Sequence, residues 1–120
     1  MKILIADDSR VMRQIVTRTL RQAGFGGHDL VEAADGKEAL AKVATEKPDL
    51  VISDWNMPEM TGIELLQHLR AQGQQVKFGF VTSECTPEMQ QAAEAAGALF
   101  FITKPFTAER FDEVFDPILG

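Results

Sequence analysis

The chain has 120 residues, of which 45% are hydrophobic and 25% are charged, and these are the proportions of an ordinary globular domain. Its net charge of -6 argues against a nucleic-acid-binding protein, because binding the phosphate backbone requires clustered Lys and Arg. Apolar runs are too short for a membrane span, and Met1 leads directly into a strand-like pattern, so we expect neither membrane insertion nor a signal peptide. The single cysteine, Cys85, excludes an internal disulfide and fits the reducing cytoplasm.

Short apolar runs, typical of buried strands, alternate along the chain with apolar side chains at three- and four-residue spacing, typical of helices. In chain order, strands and helices are predicted in turn at residues 3–6, 12–23, 30–33, 37–45, 50–52, 63–69, 78–82, 89–96, 99–102 and 111–118. Ser9 and Thr107 are candidate N-caps, and Gly24, Gly73 and Gly97 are candidate helix ends.

Five strand–helix units with continuously apolar strands predict a parallel sheet that is covered by helices on both faces. Five units are too few for an eight-stranded barrel, so we expect an open, doubly wound α/β fold made of one domain over residues 1–120. In such sheets ligands bind beyond the carboxyl ends of the strands.

Polar residues stand at the predicted carboxyl ends of four strands. They are Asp7, Asp8, Asp54, Thr82, Ser83, Thr103 and Lys104. In the strand order 2-1-3-4-5, three carboxylates, a hydroxyl and an ammonium group would converge on one crevice. Adjacent carboxylates repel one another, so we expect at least one aspartate to have a raised pKa, and a divalent cation would relieve the repulsion.

Carboxylate ligands without His or Cys favour a hard ion such as Mg²⁺, which takes one or two carboxylates together with a substrate phosphate. Lys104 and Thr82 could then hold phosphate oxygens, and one aspartate could be the nucleophile of a phosphoryl transfer. Alternatively, Asp7 and Asp8 could be solvated residues at a helix N-terminus, and Asp54 a turn residue.

Two further functions stay open at this point. One is a Mg²⁺-dependent phosphohydrolase with an aspartate nucleophile; such enzymes typically place a second acid two residues after the nucleophile, where this chain has Ser9 and Arg10. The other is a flavin- or nucleotide-binding module, which would need a Gly-rich phosphate loop after the first strand, whereas "DDSR" is acidic.

The segments "ADDS", "EAADGKEAL", "ISDWNMPEMTGIELL", "VTSE" and "FITKPFTAERF" span nearly the whole chain. Together they resemble the receiver domains of two-component response regulators, and the single-domain chemotaxis regulators of the CheY type in particular. The resemblance implies a flavodoxin-like fold with five helices and a sheet of five parallel strands. The implied strand order is 2-1-3-4-5, which is the order found in CheY.

By this resemblance Asp54 is the phosphoacceptor. Asp8, Asp54 and the backbone carbonyl of Asn56 would bind Mg²⁺, and Asp7 would assist through a water molecule. Thr82 and Lys104 would contact the phosphoryl group.

The resemblance also implies a cis peptide bond before Pro105 and a switch in which Thr82 moves toward the phosphoryl group while Phe101 turns inward. CheY carries tyrosine at the position of Phe101, and this chain has no tyrosine. Asn56 and Glu84, which would flank the path of the attacking water, would set the rate of self-dephosphorylation.

The implied partners are a sensor histidine kinase, an output protein that binds the face formed by helix four, strand five and helix five, and a phosphatase. We expect a monomeric, cytoplasmic switch of the chemotaxis or flagellar-motor type that catalyses only its own phosphorylation and dephosphorylation. The alternative is a receiver module from a larger response regulator or a hybrid kinase. Three further expectations concern single residues. Trp55 should be a partly exposed loop residue, and His28 and His68 should lie on the surface. A glycine inside a strand, Gly79, suggests that another group approaches the backbone closely there.

Overall fold

A computed structural model describes residues 1–119. The elements in chain order are β1 (Lys2–Ala6), α1 (Arg10–Gln22), β2 (Asp29–Ala33), α2 (Gly36–Glu46), β3 (Leu50–Ser53), α3 (Gly62–Ala71), β4 (Lys77–Thr82), α4 (Pro87–Ala95), β5 (Phe101–Thr103) and α5 (Ala108–Leu119). Within this part of the chain, no helix combines the length and the apolar character that crossing a membrane would require.

The five strands form one parallel sheet in the order β2-β1-β3-β4-β5, which confirms the predicted fold class. Residues in register across the sheet include Ala6 with Ser53 and Thr82 with Thr103. All strands run in the same direction, so their carboxyl ends lie at one edge, which we call the carboxyl edge.

The sheet separates two apolar cores. One core contains buried residues of α2, α3 and α4 together with the aromatic side chains of β4. The other contains buried residues of α1 and α5, including Leu20, Phe111 and Phe115. Burial of apolar side chains on both faces explains why strands β1 and β3 lack the polar alternation of a half-exposed sheet.

Helix ends follow the predicted caps. The Ser9 side chain accepts a hydrogen bond from the Met12 N–H, and Thr107 accepts one from Arg110. Helix α3 begins with a capping box between Thr61 and Glu64. These caps start each helix just after the loop that follows the preceding strand, which sets the loop lengths at the carboxyl edge.

Strand β5 begins two residues later than predicted. Leu99 lies before the strand and is 53% exposed, so the prediction that it belongs to a buried strand was wrong. The close approach predicted at Gly79 is present: a Cβ atom there would lie 2.3 Å from the Phe100 ring. Gly79 therefore gives the Phe100 ring a flat surface on which to pack.

Candidate functional site

The site lies at the carboxyl edge, where the loops after four strands meet. Asp7 and Asp8 follow β1, Asp54 follows β3, Thr82 ends β4 and Lys104 follows β5. One oxygen from each of Asp7, Asp8 and Asp54 lies within 4.8 Å of the others, and we call these three residues the acidic cluster. The side chains of Asp7 and Asp54 are only 6% and 12% exposed, whereas Asp8 is exposed to solvent.

The donor atoms of the acidic cluster fit a hard divalent cation. All of them are carboxylate oxygens, which Mg²⁺ prefers, and the exposed Asp8 leaves one side of the cluster open to water molecules and a phosphate. Among residues 1–119, no protein group donates a hydrogen bond to the Asn56 backbone carbonyl, so this oxygen has no competing partner.

Lys104 supplies the positive charge of the site. Its Nζ atom lies 3.2 Å from Asp7 Oδ2 and 3.5 Å from Asp54 Oδ2, and its side chain is 15% exposed. The Lys104 N–H donates to the Thr82 carbonyl at 2.8 Å, and the Lys104–Pro105 peptide bond is cis, as the family resemblance implied. An ammonium group between two carboxylates is well placed to contact a phosphoryl group on either of them.

Burial raises the pKa of the Asp7 carboxyl above its ordinary value, and the negative charge of Asp54 adds to this effect. The hydrogen bond from the Ser9 N–H and the charge of Lys104 act in the opposite direction and lower the Asp7 pKa. The expectation that one aspartate has a raised pKa is therefore confirmed, but the predicted main cause of the raised pKa, repulsion between carboxylates, was wrong. Desolvation of Asp7 outweighs repulsion between the carboxylates.

Asp54 is held by its own strand and by the start of α3. Its N–H donates to the Ala6 carbonyl at 2.8 Å, and its Oδ1 accepts from the Trp55 N–H at 2.7 Å. Gly62 donates to the Trp55 carbonyl at 2.7 Å, and a Cβ atom at Gly62 would lie 2.1 Å from the Asp54 carbonyl oxygen. The loop after β3 thus folds back tightly behind Asp54, and only glycine fits at its return point.

A chain of aromatic rings leads from the site toward β5. Trp55 packs on Phe80 with ring centroids 4.9 Å apart, and Phe101 lies 5.9 Å from Phe80 and 6.1 Å from Trp55. Thr82 is fully buried, and it projects from the same face of β4 as Phe80 because side chains alternate along a strand. Thr82 and Phe101 are therefore neighbours on one face, and Phe101 is half-buried.

Asn56 and Glu84 meet above the site: Asn56 Nδ2 donates to Glu84 Oε1 at 3.3 Å. The other sequence expectations concern residues outside the cluster. Trp55 lies in the loop after β3 and is half-buried, which confirms the prediction of a partly exposed loop residue; His68 is exposed and His28 is half-buried.

Two residues near the site were missed from the sequence. Arg13 donates to the Asp7 carbonyl, and Gly62 permits the tight return behind Asp54. The signal for Arg13 was its position seven residues before the fully buried Leu20, which places a charged side chain on the buried stripe of α1.

Comparison with known proteins agrees with this geometry. The family model described as "Response regulator receiver domain" matches residues 3–116. The chain is 41% identical to chemotaxis protein CheY-3 of Vibrio cholerae over 122 residues, which covers 97% of this chain and 92% of that protein. It is 38% identical to chemotaxis protein CheY of Pseudomonas aeruginosa, with both chains fully covered. The chain belongs to the response regulator receiver domain family.

Solved structures give the same result. The structure of chemotaxis protein CheY4 of Vibrio cholerae, crystallised at low pH, has a TM-score of 0.85 and 40% identity and covers 98% of each chain. The receiver domain of a Francisella response regulator has a TM-score of 0.85 at 29% identity, covering 97% of this chain and 93% of that one. CheY-like receiver domains are signalling proteins and not turnover enzymes, and this chain belongs to that class.

Proposed function

We propose that residues 1–120 form one receiver domain in which a phosphoryl group, transferred from a histidine kinase to Asp54, switches the surface formed by α4, β5 and α5. The observation that supports this most strongly is the acidic cluster with Lys104 between Asp7 and Asp54. A nucleophilic carboxylate, a cation site and a phosphate-binding ammonium group occupy one edge of the sheet.

Asp8, Asp54 and the Asn56 backbone carbonyl would hold Mg²⁺, with Asp7 contributing through a water molecule. The ion would supply positive charge that neutralises the phosphoryl oxygens. Asp7 is suited to the indirect role, because its Oδ1 accepts from Ser9 N–H and its Oδ2 faces Lys104.

In the transfer, a carboxylate oxygen of Asp54 attacks the phosphorus atom of a phosphohistidine. The new P–O bond forms as the P–N bond breaks, and the imidazole leaves with the electron pair and takes up a proton. Lys104 would hold a phosphoryl oxygen, and the Thr82 hydroxyl would donate to another. Positioning and charge neutralisation are the main contributions of the protein to such a reaction.

Movement of Thr82 toward the phosphoryl group would open space beside Phe101 on the same face of the sheet. Phe101 lines a groove of about 260 Å³ between α4 and β5, together with the exposed Leu99. The inward turn of Phe101 would therefore change the shape of a surface that a partner can contact. Because the ring has no hydroxyl group, its contribution to that contact would be apolar.

The proposed partners are a sensor histidine kinase and an output protein of the chemotaxis or flagellar-motor type, with a phosphatase that resets the switch. The matched proteins named as chemotaxis proteins support this pathway. The predicted monomeric state and cytoplasmic location stay predictions. The hydrogen bond between Asn56 and Glu84 supports a joint role of these residues in controlling the approach of water to the phosphoryl group.

The test is phosphorylation with acetyl phosphate in the presence of Mg²⁺, followed by intact mass measurement. Wild type should gain one labile phosphoryl group, whereas Asp54→Asn should gain none and keep its circular dichroism spectrum, because the substitution is nearly isosteric. Thr82→Ala is the matched variant: it should still be phosphorylated but transmit the change poorly to the α4–β5–α5 surface. Phosphorylation of Asp54→Asn at the wild-type rate would contradict the proposal.

The same samples distinguish the alternatives. A phosphohydrolase would release phosphate from phosphomonoesters over many turnovers, and a flavodoxin-type module would retain a yellow cofactor. Both are disfavoured by the acidic loop after β1, which offers carboxylates where a phosphate-binding loop offers backbone N–H groups.

A further inference from the structure

An arginine that has no part in the proposed phosphoryl transfer lies directly behind the acidic cluster. Arg13 is in the first turn of α1, and its side chain is only 13% exposed. Its Nη1 donates to the Asp7 backbone carbonyl at 2.6 Å, and its Nε donates to Glu32 Oε1 at 2.8 Å. A guanidinium group buried to this extent needs partners that compensate for its lost hydration, and here these are a main-chain carbonyl and a carboxylate of β2.

The contact with Asp7 meets a requirement of the backbone. Strand β1 ends at Ala6, so the Asp7 carbonyl lies beyond the paired residues of the strand, yet Asp7 is only 4% exposed. A buried carbonyl without a donor is costly. The Asp7 N–H donates to the Ala33 carbonyl of β2 at 3.1 Å. Asp7 is therefore tied to β2 directly through Ala33 and indirectly through Arg13 and Glu32.

The next residue, Asp8, has no such support for its side chain. It is exposed, and within residues 1–119 its carboxylate takes part in no hydrogen bond or ion pair. The position of the Asp8 Cα atom, from which this side chain extends, depends on the peptide group that joins Asp7 to Asp8, and the carbonyl of that peptide is the one to which Arg13 donates.

We propose that Arg13, supported by Glu32, is a positioning residue that orients the Asp7–Asp8 peptide so that the Asp8 carboxylate stays within the acidic cluster. This inference rests on the proposed function, since it concerns how the cluster would bind Mg²⁺. Arg13 itself touches neither the ion nor the phosphoryl group.

The direction in which the Mg²⁺ affinity changes when Arg13 is replaced separates this positioning role from a purely electrostatic one. The positive charge of Arg13 repels a nearby cation, so if charge were its only effect, removal of the guanidinium would strengthen Mg²⁺ binding. Positioning predicts the opposite, because a displaced Asp8 loses its contact with the ion. Residues that orient metal ligands typically change affinity by about 10–100-fold when they are replaced.

The experiment is a Mg²⁺ titration at constant ionic strength, followed by Trp55 fluorescence and by calorimetry. We expect Arg13→Met to raise the dissociation constant by about tenfold. Arg13→Lys should give an intermediate value, because an ammonium group keeps the charge but lacks the planar guanidinium that donates to both Asp7 and Glu32. The matched control is Arg18→Met, which removes the same charge from an exposed position of α1 that has no ion pair within residues 1–119. Its dissociation constant should equal that of wild type.

Urea unfolding without metal completes the design. If Arg13→Met lowered the free energy of unfolding but left the dissociation constant unchanged, Arg13 would be structural only and the inference would be overturned. Tighter Mg²⁺ binding by this variant would overturn it as well. Should Arg13→Met not fold, a wild-type dissociation constant for Arg13→Lys would be the decisive contrary result. Absence of Mg²⁺ binding by wild type would instead overturn the proposed function.

Discussion

The three aspartates of the acidic cluster are not equivalent, because the fold buries them to different degrees. Asp7 is almost completely buried beneath Lys104, whereas Asp8 is exposed. The Asp7 carboxylate gains a hydrogen bond from Ser9 and an ion pair with Lys104, but burial dominates and raises its pKa. A strong ion pair therefore does not imply that a carboxylate favours its charged form.

This raised pKa predicts how stability depends on pH. A group whose folded-state pKa exceeds its unfolded-state value stabilises the fold fully below the unfolded pKa, and this contribution is lost as the pH rises through the folded pKa. For Asp7 this pH window extends from the ordinary aspartate pKa of 3.8 up to the raised pKa of the folded state. We expect Asp7→Asn to be more stable than wild type above this window, with the advantage shrinking as the pH falls through it.

Urea unfolding of both proteins without metal between about pH 3 and 7 measures this difference. Asn keeps an acceptor for the Ser9 N–H, so the comparison removes mainly the charge. The control is Asp112→Asn, which removes one negative charge from an exposed position on α5. An advantage of Asp7→Asn that did not depend on pH would show that burial of the charge is not its cause.

The charged and hydroxyl-bearing residues of the site could be predicted from the sequence, because each stands at the end of an apolar run that forms a strand. That pattern identified Asp7, Asp54, Thr82 and Lys104 without any knowledge of their contacts. Arg13 does not follow a strand, so this pattern does not identify it, and its partners are a backbone carbonyl and a glutamate of β2. The position of Arg13 on the buried stripe of α1 marks it in the sequence, but its contact with a backbone carbonyl does not.

Among the elements, α3 packs most closely against Asp54, the proposed phosphoacceptor. Its first residue, Gly62, approaches the Asp54 carbonyl so closely that a Cβ atom would lie 2.1 Å from the oxygen and 2.9 Å from the Phe80 ring. We predict that Gly62→Ala pushes α3 away from the strand end, costs about 1–3 kcal/mol or more of unfolding free energy, and slows phosphorylation of Asp54.

Urea unfolding and the acetyl phosphate reaction measure these two effects. Gly27→Ala is the matched control, because no atom lies within 4 Å of a Cβ atom at that position. This control should be as stable as wild type or slightly more so, since alanine reduces the entropy of the unfolded chain. If Gly62→Ala and Gly27→Ala behaved alike, the close approach behind Asp54 would not constrain the site.

Strand and helix positions were predictable because the two apolar periods are distinct, and most boundaries agree within one or two residues. The start of β5 was predicted too early because Leu99 and Phe100 continue the apolar run. Leu99 is apolar for a different reason: it lines the groove beside α4 and does not contribute to either core. A run of apolar residues cannot by itself distinguish a core from a surface groove.

The whole molecule carries an excess of negative charge, and the fold concentrates three carboxylates at one edge of the sheet. The ammonium group of Lys104 contacts only two of them. Uncompensated charge at one site makes the metal-free fold less stable than its core alone would allow. A cation that binds only the folded state should therefore stabilise the entire domain.

We expect Mg²⁺ at roughly ten times its dissociation constant to raise the free energy of unfolding by about 1.4 kcal/mol. Thermal and urea unfolding with and without Mg²⁺ measure this effect. The Mg²⁺-free buffer has the same ionic strength, so that general screening is excluded as the cause. Asp8→Asn is the informative variant, because it removes the exposed carboxylate of the cluster without opening a cavity. It should be more stable than wild type without metal and should gain much less from Mg²⁺.

The paired result decides between two views of the acidic cluster. If its carboxylates are held together for cation binding, wild type and Asp8→Asn should differ in opposite directions with and without Mg²⁺, since binding and metal-free stability make conflicting demands on the same charges. If Asp8 served only the start of α1, where negative charge interacts favourably with the helix dipole, its replacement would lower stability equally in both conditions. Equal Mg²⁺ stabilisation of the two proteins would contradict the first view.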